Sequence, residues 1–166
     1  GTYAFPANGL IFLEDHIWAE GQIDGARLNI VAAKFPINSA TYKNIIVNNN
    51  LAYTNFDGTD VIGLIAQGNF LVGMASSNNL TIDAAIIAQN GQTIRYYYSA
   101  NCAPWTFRSA LTTYGMFASN GQGYFYYGSS GYTSQQASYD ANLLYSPPPS
   151  FPLTSDQYEI LSWEEI

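Results

Sequence analysis

Leu80-Thr81-Ile82-Asp83-Ala84-Ala85-Ile86-Ile87-Ala88-Gln89-Asn90-Gly91 returns later in the chain as Leu111-Thr112-Thr113-Tyr114-Gly115-Met116-Phe117-Ala118-Ser119-Asn120-Gly121, once one residue is gapped. The frame also fits Asp60-Val61-Ile62-Gly63-Leu64-Ile65-Ala66-Gln67-Gly68-Asn69. Each copy is a short β-prone run that reaches a small residue: Gly63, Ala85 or Gly115. Two large apolar residues and an Ala follow, then Gln or Ser, then an Asn/Gly turn. From Gly63 to Ala85 is 22 positions and from Ala85 to Gly115 is 30. Recurrence at 20 to 50 residues points to stacked arrays before ordinary folds. The small residue in mid-run marks a place where the backbone bends or another segment comes close. The reading is an all-β, right-handed parallel β-helix of five or six coils, with uneven spacing from loops inserted on one side. An antiparallel β-sandwich is the alternative, with the same Asn and Gly residues in hairpin turns.

Working outward, residues 10–18 and 23–31 read as the first strands, separated by a Gly21-Gln22 turn. Ile45-Ile46-Val47 opens the next coil and Asn48-Asn49-Asn50 turns it. Asn49, Asn50, Asn69, Asn79, Asn90 and Asn120 are the expected corner residues, their amides laddered from rung to rung. Residues 95–108 and 121–139 read as surface loop insertions. Ser146-Pro147-Pro148-Pro149-Ser150-Phe151-Pro152 cannot enter a sheet interior and is expected to be extended. Residues 158–163 alternate apolar and polar and are expected to form a last strand. Together the Pro-rich link and that strand (residues 146–166) would cover an open sheet end. The whole of residues 1–166 reads as a single domain, with coils over 1–145.

Composition supports the β reading. Charged residues make up only 10% of the 166, against roughly 25% in an average soluble domain. Uncharged polar side chains replace them: 15 Asn, 8 Gln, 14 Ser and 11 Thr. With 48% apolar residues the chain has ample surface to bury, which argues against disorder. The scarcity of Lys, Glu, Arg and Met argues against a helical bundle. A net charge of -7 repels phosphate and argues against nucleic-acid binding. No apolar run is long enough to span a bilayer as a helix, and the opening Gly1-Thr2-Tyr3-Ala4 does not read as a leader, so none is expected here. An exported form would carry any anchor in a segment outside this chain. Cys102 is the sole cysteine, so it is expected to be a buried, inert thiol.

No catalytic signature stands out, and the chain is expected not to be an enzyme. Glu14-Asp15-His16 sets two carboxylates beside the only His, but adjacent strand residues face opposite ways and do not converge. Asn55-Phe56-Asp57-Gly58-Thr59-Asp60 resembles half of an oxygen-rich calcium loop, making Asn55, Asp57 and Asp60 weak candidates for a structural calcium ion. An Asp-Gly turn explains the stretch equally well, and no cofactor is expected. Tyr96, Tyr97, Tyr98, Trp105, Tyr124, Tyr126, Tyr127 and Tyr132 crowd the second half. Such rings are rigid, amphipathic contact surface. They either fasten loops to the body or meet a partner, with protein ahead of glycan. Self-assembly through coil ends is a further possibility.

The opening Asn8-Gly9-Leu10-Ile11-Phe12-Leu13-Glu14-Asp15-His16-Ile17-Trp18-Ala19-Glu20-Gly21 resembles bacterial PilX-type pilus-assembly proteins in their C-terminal part. So does the ending, Leu144-Tyr145-Ser146-Pro147-Pro148-Pro149 followed by Tyr158-Glu159-Ile160-Leu161-Ser162-Trp163-Glu164-Glu165. The resemblance spans residues 8–165 and extends to pilin-like bacterial surface proteins. It implies an extracellular β-helical domain held at the cell surface, with pilin-like or other surface proteins as partners and no catalytic residues to carry over.

Overall fold

The computed structural model describes residues 1–152. In chain order its strands are β1 (Leu10–Leu13), β2 (Ile17–Trp18), β3 (Gly21–Ile23), β4 (Arg27–Ala32), β5 (Ile45–Val47) and β6 (Leu51–Tyr53). They continue with β7 (Val61–Ala66), β8 (Phe70–Val72), β9 (Asn79–Ala88), β10 (Thr93–Arg95), β11 (Phe107–Ser119) and β12 (Gly131–Tyr139). β2, β5, β8 and β10 form a four-stranded sheet, and the other eight form a larger sheet. The large sheet runs in the order β1-β4-β7-β9-β11-β12, with β3 and β6 beside the first half of β9. Every strand pair in both sheets is parallel. That overturns the antiparallel sandwich, whose neighbours must run in opposite directions. The chain leaves the large sheet for the small one and comes back one place further along, so successive visits are neighbours in space.

Register corrects the repeat in one detail. Gly63 pairs with Ala85, as the 22-residue spacing requires. Gly115, however, faces Ala84 rather than Ala85, and Leu111 faces Leu80. The strands therefore align at 31 residues without a gap. The missing residue falls in the turn beyond, where the Gly121 N–H donates to the Gly91 carbonyl. Gly115 has φ +141, and a Cβ there would lie 2.0 Å from the Ala84 carbonyl oxygen. Only glycine fits that approach.

The core lies between the sheets. Leu28, Ile62, Leu64, Leu80, Ile82 and Ile86 from the large sheet meet Ile45, Val47, Phe70 and Val72 from the small one, all buried. β7 and β9 are buried on their outer face as well, because the segment after β12 crosses it. Leu143 and Phe151 pack on Val61, Ala85 and Met116 there. Arg27 Nη2 donates to the Pro147 carbonyl at 2.7 Å, and Asn29 Nδ2 to the Pro149 carbonyl at 2.9 Å. A Cβ on Gly63 would lie 2.7 Å from Pro148, so the small residue in mid-run makes room for this strap. The Pro-rich link thus lies across the face of the sheet, not over its end. The expected last strand at 158–163 falls outside the described residues.

Several expected boundaries shift. Residues 10–18 and 23–31 are each broken, at Glu14–His16 and at Asp24–Ala26, because the chain corners there. Gly21 and Gln22 lie inside β3 rather than in a turn, and Asn79 begins β9. The two expected insertions are connections over 96–106 and 121–130, but strand takes the rest. Residues 95–108 contain the end of β10 and the start of β11, and 121–139 contain all of β12. Polar Gly131–Tyr139 needs no apolar face because its backbone pairs with β11 along one edge. The Asn ladder exists in a different chemical form. Asn44 Oδ1 accepts from the Asn69 N–H, Asn69 Oδ1 from the Gln92 N–H, and Asn50 Oδ1 from the Thr81 N–H, at 2.8–2.9 Å. Each amide caps the backbone of the next lap, where corner N–H groups have left the ladder and need acceptors.

Candidate partner-binding surface

Between β10 and β11, and between β11 and β12, two connections lie side by side. The first begins at Arg95, whose side chain is wholly buried. Its guanidinium donates to the carbonyls of Met74 (3.1 Å), Trp105 and Thr106 (3.5 Å). It also sits over the Tyr98 ring, 4.7 Å from the centroid, and 6.0 Å from that of Tyr132. Burial lowers its affinity for the proton, while Tyr132 and Tyr98 oppose that effect; a guanidinium keeps its charge regardless. One buried cation thereby holds three carbonyls of chain that has no ladder of its own. The Tyr98 N–H joins the two connections by donating to Ser130 Oγ (3.0 Å), and within the second the Tyr127 N–H donates to the Ser130 carbonyl (2.8 Å).

On this frame Tyr97 meets Tyr127 edge-on, with centroids 6.1 Å apart, and Tyr124 lies 5.9 Å from Tyr127. Tyr96, Tyr97, Trp105, Tyr124, Tyr126 and Tyr127 are all exposed, by 37–54%. Tyr98 is half-buried. Tyr132 is fully buried and bonds through its hydroxyl to Ser76 Oγ and the Ser77 carbonyl at 2.9 and 2.7 Å. It belongs to the frame and cannot meet a partner. Burial raises the phenols of Tyr98, Tyr127 and Tyr132, so all three stay neutral donors through the physiological range. The surface is a patch of uncharged rings with hydroxyls at their rims, able to bury area and to satisfy hydrogen bonds at once. Cys102 lies half-buried in the 3-10 turn Ala100–Cys102, not in the core.

The calcium candidates do not converge as ligands. Asp60 is buried, and its carboxylate accepts from the N–H groups of Ala26, Thr54 and Asn55 at 2.7–3.1 Å, and from Asn55 Nδ2 at 3.2 Å. Burial is the strongest single influence and raises its pKa, but the combined backbone donors hold it below the usual carboxylate value. Asp57 turns instead to Thr59, accepting from its N–H and Oγ1. A carboxylate surrounded by donors is anchoring a corner, and Asn55 offers it hydrogen atoms rather than oxygen. In the acidic trio, His16 Nδ1 accepts from the Asn44 N–H, and Asp15 lies 3.6 Å from Lys43; the side chains do not converge. Among the described residues no group of three His, Cys, Asp or Glu side chains comes together.

Two features escaped the sequence reading. Arg95 and Arg108 are both buried and both bond to carbonyls rather than carboxylates. Residues 84–139 contain those two arginines and no Asp or Glu, and residues 109–139 contain no charge at all. A charge-free run of that length in an acidic chain was readable; its position at one end of the stack was not. No protein-family model, curated protein or solved structure matches this chain.

Proposed function

We propose that the chain is a right-handed parallel β-helix acting as a non-catalytic display domain of a cell-surface or type IV pilus-associated bacterial protein. The winding is supported by the parallel ladders and the regular alternation between two sheets; its hand follows from the right-handed preference of parallel crossovers. The domain is extracellular, held through a segment outside this chain, and no cofactor enters its work. One observation carries the reading: six exposed rings are grouped on connections that a buried arginine fastens to a rigid body. That arrangement recognises surfaces rather than transforming substrates, and its partner is a pilin-like or other surface protein. The PilX-type resemblance of residues 8–165 supports the same setting.

A titration of purified pilin-like protein against the domain tests this. Binding weakened about tenfold or more by Tyr97→Ala and by Tyr126→Ala, two residues without core contacts, is the expected result. Exposed tyrosine and tryptophan rings also suit sugar faces, so a glycan array is run in parallel. Saturable glycan binding lost in Trp105→Ala, with no protein binding, moves the assignment to a carbohydrate-binding or carbohydrate-cleaving β-helix.

A further inference from the structure

The two ends of the sheets differ in a way that fits one to the other. At the first end, β1 and β2 have no strand on their outer edges among the described residues. Residues 1–26 there carry Glu14, Asp15, Glu20 and Asp24 and no Lys or Arg. A hollow of about 260 Å³ opens beside them, lined by Phe5, Ile11, Ile17, Trp18 and Leu28 among others. Trp18 is 65% exposed, and Phe12 and Leu13 are nearly half exposed. At the other end β12 has no strand on its outer edge among the described residues from Thr133 to Tyr139, while Gly131 bridges to Tyr126 and the Tyr132 N–H donates to the Phe125 carbonyl. The strand holds none of the charges, prolines or bulges that usually protect such an edge.

We infer that copies of this chain associate head to tail, the β12 end of one on the β1 end of the next. Three observations select a second copy in this orientation. The strands at both ends run parallel to the same stack, so β1 of a second copy continues the large sheet beyond β12 without a change of direction. The small sheet is likewise open at β2, so its ladder is also available at that end. The ends differ in charge, four carboxylates on one and an uncharged edge strand on the other, so joining unlike ends keeps the acidic ends of two copies apart. A symmetric pairing of two β12 edges would use neither the acidic end nor the apolar hollow. Head-to-tail contact between unlike surfaces does not close on two copies and yields an open series.

The experiment is sedimentation velocity on the full chain over a wide concentration range, with two edge variants, Gln136→Asp on β12 and Leu13→Asp on β1. The expected wild-type result is a concentration-dependent series beyond the dimer. Each variant alone is expected to weaken association at least about tenfold, with unchanged melting temperature confirming that it folds. Mixed, the two variants are expected to form pairs and nothing longer, because each supplies one intact end. A wild type that stays monomeric throughout overturns the inference. So does a closed dimer that Gln136→Asp abolishes and Leu13→Asp leaves intact. The measurement uses no other partner, so its outcome is independent of the display reading.

Discussion

β9 and β12 are parallel strands of one sheet, ten and nine residues long, two places apart. Nearly all of β9 is buried: its inner face by the small sheet, its outer face by the strap, its edges by neighbours on both sides. β12 buries only Gly131 and Tyr132, and everything from Thr133 onward is exposed. Sequence follows position. Leu80-Thr81-Ile82-Asp83-Ala84-Ala85-Ile86-Ile87 supplies apolar bulk and small spacers, while Thr133-Ser134-Gln135-Gln136-Ala137-Ser138 supplies little to bury. The lesson is that a stacked sheet concentrates its stability in middle laps and leaves its ends free for contact.

The sharpest way to break that comparison is truncation on each strand. Ile86→Ala is expected to lower stability by about 2–5 kcal/mol, and Gln135→Ala to change it by no more than about 0.5 kcal/mol; urea denaturation reads both. Equal losses would mean the middle does not dominate. Gly63→Leu is expected to cost about 1–3 kcal/mol through its clash with Pro148. It should also release the strap, seen as faster proteolytic cutting within residues 141–152. Asp60→Asn is expected to cost about 1–3 kcal/mol, since buried N–H groups lose a charged acceptor.

The acid limb of the stability curve sharpens the same point. Asp60 sits below the ordinary carboxylate value, so its contribution is present above that value and is lost as pH falls through the folded one. Asp60→Asn should flatten the acid limb. Asp83, buried on the outer face of β9, is raised by burial, with the Tyr53 N–H opposing and Asp140 reinforcing. Its sign is opposite: the fold favours the protonated acid, and the penalty grows as pH rises through the raised value. Asp83→Asn is therefore expected to be neutral or stabilising at pH 7, checked by thermal melting at several pH values. The smallest effect is reserved for the rings, where Tyr97→Ala should move stability by less than about 1 kcal/mol.

Much of this was legible along the chain. The Gly63–Ala85 spacing is the true register, and the rings of Tyr97, Tyr124 and Tyr127 do meet across adjoining connections. What failed did so for identifiable reasons. Residues 131–139 read as loop because edge pairing uses backbone groups that leave no pattern in side chains. Tyr132 read as surface because nothing in its neighbours reveals that its hydroxyl ends on Ser76 and Ser77, over fifty residues earlier. Arg95 passed unremarked because its partners are carbonyls, which every residue carries.

By itself, then, the sequence determined that short β-prone runs recur, that small residues punctuate them, and that Asn and Gly occupy many of the corners. These are local facts, written in side-chain size, backbone freedom and hydrogen-bonding groups within a dozen residues. Only the tertiary structure decided that neighbours run parallel, that the Pro-rich segment straps the sheet face, and which ends stay open. Those depend on contacts between residues 20 to 120 positions apart, where chain geometry chooses the partner and no short window of sequence records the choice.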